Sequence, residues 1–182
     1  MANSSTPLTE EEKITYLLCT MAGRPFPFTT PAAAINTIDD VDECKEPWEI
    51  SAGPADQEYN FYTKLRNNVG QSEKPVGEGI WKFYDQSSIF LMNGRHDPPI
   101  GSVRKFRYHN KRNANESRKW ILKEYTIADR FKCCVPKNNE DYALCTIVKK
   151  VSGRDAGGSS SGLVTRNLLQ GFFDQTLREN SQ

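Results

Sequence analysis

The amino-acid sequence predicts an α+β domain in which short helices flank a twisted antiparallel β-sheet, with a short amphipathic helix after a flexible linker at the C-terminal end. Apolar residues near the N-terminus recur at helical spacing, whereas residues 59–150 contain short aromatic and β-branched runs separated by turn-forming residues. No segment of helical length separates these runs, so helical crossovers between parallel strands are not expected.

The first helix is predicted to begin after Thr9, because Thr9 and Glu12 have the spacing of a capping box. Gly23 and the prolines that follow it end this helix. A second short helix is predicted over residues 32–38, ahead of an aspartate-rich turn. The apolar face of the first helix is formed by Ile14, Leu17, Leu18 and Met21.

The strands are predicted from short runs of aromatic and β-branched residues. They cover residues 60–65, 79–84, 88–92, 103–108, 120–127 and 142–148. Residues 85–87 are then a loop between two strands. The domain that contains this sheet is expected to cover residues 8–150.

A Gly/Ser-rich segment over residues 151–162 is predicted to be a flexible linker, and residues 163–182 a separate amphipathic tail. A helix of about fifteen residues that contains a glycine is not stable alone in water, so the tail needs a surface. It either docks on the sheet of its own domain or binds a groove of a protein partner. Its apolar face is formed by Leu163, Val164, Leu168, Leu169, Phe172, Phe173 and Leu177.

The charges are distributed unevenly along the chain. Residues 1–60 contain eleven acidic and three basic side chains, and the rest of the chain carries the excess of positive charge. The densest basic stretch, residues 104–123, contains eight basic side chains and a single acidic one, that of Glu116. Such a stretch is either a binding site for a polyanion or a solvated surface hairpin.

Several functional classes are not expected. No apolar run approaches the ~20 residues that a membrane span needs, and the N-terminus has no features of a secretion signal, so we expect an intracellular protein without a membrane partner. Five cysteines lack zinc-site spacing and are interpreted as free thiols. The two histidines, His96 and His109, lie in polar contexts that suggest no catalytic site. We therefore predict no enzymatic activity, no metal and no cofactor.

Several short segments of the chain can be compared with known families. They are TEEEKITYLL (9–18), AGRPFP (22–27), EPW (46–48), EYNFY (58–62), GIWK (79–82), IGSVRK (100–105), WILKEY (120–125) and YALCTI (142–147). No single segment is specific, but together they resemble the NAC family of plant transcription factors, in the same order and at similar spacings over residues 8–150. This shared order and spacing favour kinship.

The resemblance implies a nuclear transcription regulator that binds double-stranded DNA through the edge of its sheet and forms homodimers or heterodimers through its N-terminal part. Two departures from the family pattern modify this expectation. Residues 3–6 read Asn-Ser-Ser-Thr where family members have a strand with aromatic residues and an arginine, so we expect weaker dimerisation. Residues 83–88 read Phe-Tyr-Asp-Gln-Ser-Ser where the family has a small Ala-Thr-Gly loop that enters the major groove, so we expect poorer sequence selectivity.

By matching positions, the resemblance implies two sets of DNA-binding residues. Gln86 is a candidate for reading adenine, and for Tyr84 packing within the sheet is an equally good interpretation. The alternative function is a NAC-derived protein-interaction module that no longer reads DNA sequence. The groove-facing set is Lys82, Tyr84, Gln86 and Ser87, and the phosphate-binding set is Arg104, Lys105 and Arg107.

Overall fold

The computed structural model describes residues 7–27, 35–37, 45–51, 53, 57–65, 71–91, 97–150 and 163–180. Its architecture confirms the predicted α+β class: a curled sheet is flanked by short helices, and a further helix follows at the C-terminal end. The predicted linker, residues 151–162, lies outside the described residues. The division of the chain into domain, linker and tail remains a prediction.

The first helix, α1 (Glu10–Ala22), begins as predicted. The Thr9 hydroxyl accepts a hydrogen bond from the Glu12 backbone N–H at 3.2 Å, and the Glu12 carboxylate accepts one from the Thr9 N–H at 2.9 Å. Gly23 ends the helix in the left-handed conformation with φ of 67°, which a glycine adopts without steric cost. Local sequence signals therefore determine both ends of α1.

The sheet has seven strands in the order β1-β2-β7-β6-β5-β4-β3. All neighbouring strands are antiparallel except β1 and β2, which are parallel. The strands are β1 (Asn36–Thr37), β2 (Tyr59–Lys64), β3 (Glu73–Val76), β4 (Gly79–Ile89), β5 (Gly101–His109), β6 (Trp120–Ile127) and β7 (Tyr142–Lys149). A short helix, α2 (Pro47–Ile50), lies between β1 and β2.

Three local predictions were wrong. Asn36 and Thr37 form a strand instead of the end of a helix, because they pair with β2 and tertiary pairing overrides helix propensity. The β1–β2 pair is also parallel, whereas the sequence predicted an antiparallel sheet. The rest of the predicted helix, apart from Ile35, lies outside the described residues.

The other two errors concern β3 and β4. Strand β3 was not predicted from the sequence, and its Pro75 is tolerated because β3 is the last strand of the sheet. Residues 79–89 form one continuous strand where two strands and a loop were predicted. A β-bulge at Tyr84 absorbs one extra residue, so the chain stays paired with β5 on both sides of the bulge.

The two faces of the sheet have separate cores, and we call the side covered by α1 face A and the opposite side face B. On face A, Val103, Tyr125 and Leu144 pack with the apolar residues of α1. On face B, Trp81 and Phe106 belong to a second buried cluster. Because paired residues of neighbouring strands lie on the same face, the register assigns each residue of β4 and β5 to one side.

The C-terminal helix, α3 (Leu163–Glu179), packs against the domain instead of standing apart from it. Leu169 and Phe173 are fully buried in the face A core, and the Phe173 ring lies 5.1 Å from that of Phe131. Arg24 forms an ion pair with Glu179 at 2.9 Å. Of the two alternatives, the structure shows the docked tail, whose contacts include α1 and the 3-10 helix Asp129–Cys134.

Cys19, Cys133 and Cys134 are free thiols, as predicted, and Cys44 lies outside the described residues. Within the part of the chain that the structure describes, no helix is long and apolar enough to cross a membrane.

Candidate nucleic-acid interface

The outer edge of β4 is only partly covered by β3. Pairing between the two strands runs from Gly79 to Lys82, and the Phe83 backbone N–H donates a further hydrogen bond of 2.7 Å to the Ser72 carbonyl. The side chains that follow are exposed, with relative exposures of 37% for Phe83 and 43% for Tyr84. Gln86, Ser87 and Ser88 are exposed as well. An edge strand with exposed side chains can contact a groove of DNA or another protein.

The bulge at Tyr84 determines where this tyrosine points. Phe83 pairs with Phe106 and Asp85 with Lys105, so Tyr84 is the extra residue between the two pairs. The Arg107 guanidinium lies 4.7 Å from the centroid of the Tyr84 ring in a cation–π contact. Arg107 is exposed, so the stacked pair is accessible to a ligand.

Lys82 and Lys105 lie on face A with Arg107, and each has a carboxylate partner. Lys82 pairs with Glu73 at 3.0 Å, and Lys105 with Asp85 at 2.7 Å. The hydrogen bond with Asp85 raises the pKa of Lys105, and the same bond lowers the pKa of Asp85. Asp85 therefore offsets part of the positive charge that the sequence analysis assigned to this surface.

Arg118 extends the cationic surface, and His109 lies among its basic side chains. Burial lowers the pKa of His109, and the charges of Lys82, Arg118 and Arg107 lower it further, while Glu73 opposes them. Arg118 adopts φ of 67°, and its backbone N–H donates to the Tyr108 carbonyl at 2.7 Å. Three basic side chains therefore act on one imidazole, and such a grouping of positive charge attracts anions.

Arg104 and Gln86 lie on face B, opposite each other in the register of β4 and β5. The Arg104 side chain is only 14% exposed, and it pairs with the buried Glu124 at 3.6 Å. Its Nη2 donates to the Gln71 carbonyl at 2.8 Å. The predicted site residues are therefore divided between the two faces. Face A carries Lys82, Tyr84, Ser87, Lys105 and Arg107, and face B carries Gln86 and Arg104.

The linear basic stretch contains less free positive charge than its sequence indicates. Several of its members pair with acids: Glu58, just before β2, and Glu78, between β3 and β4, come from elsewhere in the chain, and Glu116 lies in the stretch itself. These pairs are Arg112 with Glu78 at 2.7 Å, Lys123 with Glu58 at 3.4 Å, and Lys119 with Glu116 at 3.9 Å. The exposed basic side chains of the stretch beside β4 are consequently those of Arg107 and Arg118, and Lys82 lies next to them in its ion pair with Glu73.

Arg118 and His109 were not predicted as site residues, although both lie in the basic stretch. Their relation to Lys82 depends on strand register and on the turn before β6, which composition does not show. Among the described residues, no group of three or more His, Cys, Asp or Glu side chains is arranged to hold a metal ion. His96 lies outside the described residues.

The fold defines an α+β domain in which a curled, mostly antiparallel sheet has a capped helix on one face and exposed basic side chains along the outer edge of β4. Residues 5–127 match the family model described as No apical meristem (NAM) protein. The chain therefore belongs to this family of NAC-domain proteins, which are plant transcription regulators. The match includes every candidate site residue, whereas β7 and α3 lie beyond it.

Curated relatives support the family assignment at low identity. The chain is similar to NAC domain-containing protein 72 of Arabidopsis thaliana, with 25% identity over 154 residues that cover 81% of this chain and 48% of the relative. It is similar to NAC domain-containing protein 48 of Oryza sativa subsp. japonica, with 26% identity over 162 residues that cover 80% of this chain and 48% of the relative. The chain thus spans about half the length of these relatives and is a divergent member of the family.

Proposed function

We propose that this protein binds double-stranded DNA through face A of β4 and β5 and acts as a transcription regulator in the nucleus. The observation that carries the proposal is the cationic surface around His109, where Lys82 lies directly opposite Arg107. Tyr84 projects beside them from the exposed edge and stacks on the Arg107 guanidinium. Cations beside a protruding edge strand are suited to a duplex, in which phosphates line both sides of each groove.

Phosphate contacts from Lys82, Arg107 and Arg118 supply most of the proposed affinity. Each contact releases condensed counterions from DNA and makes binding dependent on salt concentration. Base contacts are expected from the exposed residues of the β4 edge. Because the bulge presents the bulky Tyr84 and the acidic Asp85 there, we expect binding with poor sequence selectivity.

The decisive experiment measures the binding of the purified protein to a pool of random-sequence duplexes by fluorescence anisotropy between about 50 and 200 mM salt. The proposal predicts a steep loss of affinity with increasing salt. Arg107→Ala should weaken binding similarly for all sequences and reduce the slope of log affinity against log salt by about one. Lys132→Ala is the control, because it removes one positive charge from the 3-10 helix Asp129–Cys134. Salt-independent affinity, or equal effects of both variants, would contradict the assignment.

The second candidate function is a protein-interaction module derived from the same fold. It is favoured by the exposed aromatic side chains Phe83, Tyr84 and Phe90 along and just after β4. An exposed edge strand of this kind is suited to pairing with an extended segment of another protein. The same DNA titration distinguishes the two functions, because an interaction module that has lost DNA binding shows no counterion-dependent affinity.

A partner role for the tail requires a change in the structure. Leu169 and Phe173, the central apolar residues of α3, are buried against the domain and cannot enter a partner groove while docked. Dimerisation with a second family member is also part of the proposal. The family resemblance implies a dimer contact through the N-terminal part of the chain, of which residues 1–6 lie outside the described residues.

A further inference from the structure

We infer that Arg104 is a positioning residue for the DNA-binding edge and not a phosphate contact, and that Lys74 and Glu124 act with it. This inference rests on the proposed function, because the edge that these residues hold is the proposed DNA-binding edge. It corrects the role that family resemblance implies for Arg104.

Glu124 is the centre of a buried charged cluster on face B. Its side chain is 3% exposed, and one carboxylate oxygen accepts a hydrogen bond from the Lys74 ammonium, whose side chain is 2% exposed. The other oxygen lies 3.6 Å from the Arg104 guanidinium. Lys74 belongs to β3, Arg104 to β5 and Glu124 to β6, so the cluster links the strands on both sides of β4.

Aromatic contacts tie β4 into this cluster. The Phe106 ring lies 5.0 Å from both the Lys74 ammonium and the Arg104 guanidinium. The Arg104 guanidinium also lies 5.3 Å from the centroid of the Phe83 ring, and Phe83 is the β4 residue immediately before the bulge. Arg104 is therefore in contact with the residue from which the exposed edge begins.

Arg104 also fixes the backbone on the other side of Phe83. Its Nη2 donates to the Gln71 carbonyl, and the next carbonyl, that of Ser72, accepts the hydrogen bond from the Phe83 N–H. One guanidinium thus holds both the ring of Phe83 and the segment that pairs with its backbone. Loss of these contacts is expected to loosen β4 at the bulge and to misplace Tyr84.

The position of Arg104 is unsuitable for contact with a duplex on face A. Side chains alternate along a strand, and Arg104 and Arg107 are three residues apart, so they lie on opposite faces. Arg104 donates to Gln71 and pairs with Glu124, while Arg107 is exposed on the DNA-facing side. A phosphate bound by Arg107 is consequently separated from Arg104 by the sheet.

The test compares Arg104→Ala and Arg104→Lys with Arg107→Ala in the same salt titration. A positioning role predicts that Arg104→Ala lowers the affinity severalfold and leaves the salt slope unchanged, whereas Arg107→Ala lowers the slope by about one. Arg104→Lys should fail to restore affinity, because lysine keeps the charge but lacks the planar, multiply donating guanidinium. A slope reduced by about one in Arg104→Ala and restored in Arg104→Lys would overturn the inference.

Hydrogen exchange provides a readout that does not depend on DNA. Arg104→Ala should increase amide exchange over residues 83–89, while Arg107→Ala should leave these amides protected, and exchange of the α1 amides serves as the control for global folding. Unchanged exchange in Arg104→Ala would overturn the positioning role even if the protein binds DNA. Absence of DNA binding by the unaltered protein, together with increased exchange in Arg104→Ala, would contradict the proposed function and leave the positioning of β4 supported.

Discussion

Asp85 forms an ion pair with Lys105 across β4 and β5, at a distance of 2.7 Å between Oδ2 and Nζ. The two residues are directly opposite each other in the strand register. Their pairing places a carboxylate on the face that carries Lys82 and Arg107. This acid opposes a nearby phosphate and occupies a cation that would otherwise be available to bind one.

Asp85→Asn is therefore expected to tighten DNA binding by roughly fivefold, because it removes a carboxylate that repels phosphates. Lys105 remains protonated in the variant, because the ordinary lysine pKa of 10.5 is far above neutral pH. Fluorescence anisotropy at fixed salt measures the effect. Asp129→Asn is the matched control, because Asp129 is also an exposed aspartate that pairs with a lysine, at 2.7 Å from Lys132 on the 3-10 helix. Equal gains in the two variants would indicate an effect of net charge alone.

His109 makes the free protein and the DNA complex respond to pH in opposite directions. Burial, together with Lys82, Arg118 and Arg107, lowers its pKa below the ordinary 6.5 in the folded protein. At pH values between the lowered pKa of the folded protein and the ordinary pKa of the unfolded chain, the unfolded chain binds more protons than the folded one. The stability of the fold therefore falls as pH decreases below about 6.5. Phosphates beside the same cations favour the protonated imidazole, so DNA affinity should increase over the same interval.

His109→Asn should weaken both pH dependences, since an asparagine does not titrate. Chemical denaturation and anisotropy, each measured from about pH 7.5 down to 5.5, compare this variant with the unaltered protein. If DNA affinity responds identically to pH in the two proteins, His109 does not contribute to the binding surface.

Sequence reasoning predicted those features that depend on local chemistry. The capping box of Thr9 and Glu12 and the left-handed Gly23 are determined by neighbouring residues, and both were confirmed. The bulge at Tyr84 was missed because it depends on how β4 aligns with β5, which no local pattern encodes. Alternation alone separates Arg104 from Arg107, but only the structure shows that Glu124 and Lys74 occupy the Arg104 side.

Dimerisation should be weaker than in family members that retain the aromatic and arginine-containing N-terminal strand. Residues 3–6 of this chain offer only small polar side chains for such a contact. Sedimentation over a range of protein concentrations measures the dimer, and replacing residues 3–6 with the family's aromatic and arginine pattern should strengthen it. A tight dimer of the unaltered chain at nanomolar concentration, insensitive to salt, would refute this expectation.

The docked position of α3 makes this helix part of the stability of the domain. Leu169 is fully buried and Phe173 packs against Phe131, so Leu169→Ala and Phe173→Ala should each lower the free energy of unfolding by about 2 to 5 kcal/mol. Leu168→Ala is the matched control on the same helix, because Leu168 is 59% exposed. Gly171→Ala should act in the opposite direction by ~1 kcal/mol, since a Cβ at this helical position meets no atom within 4 Å. Chemical denaturation monitored by tryptophan fluorescence measures all four variants. Unchanged stability in the first two, with loss of a binding partner, would show that α3 serves recruitment instead of the core.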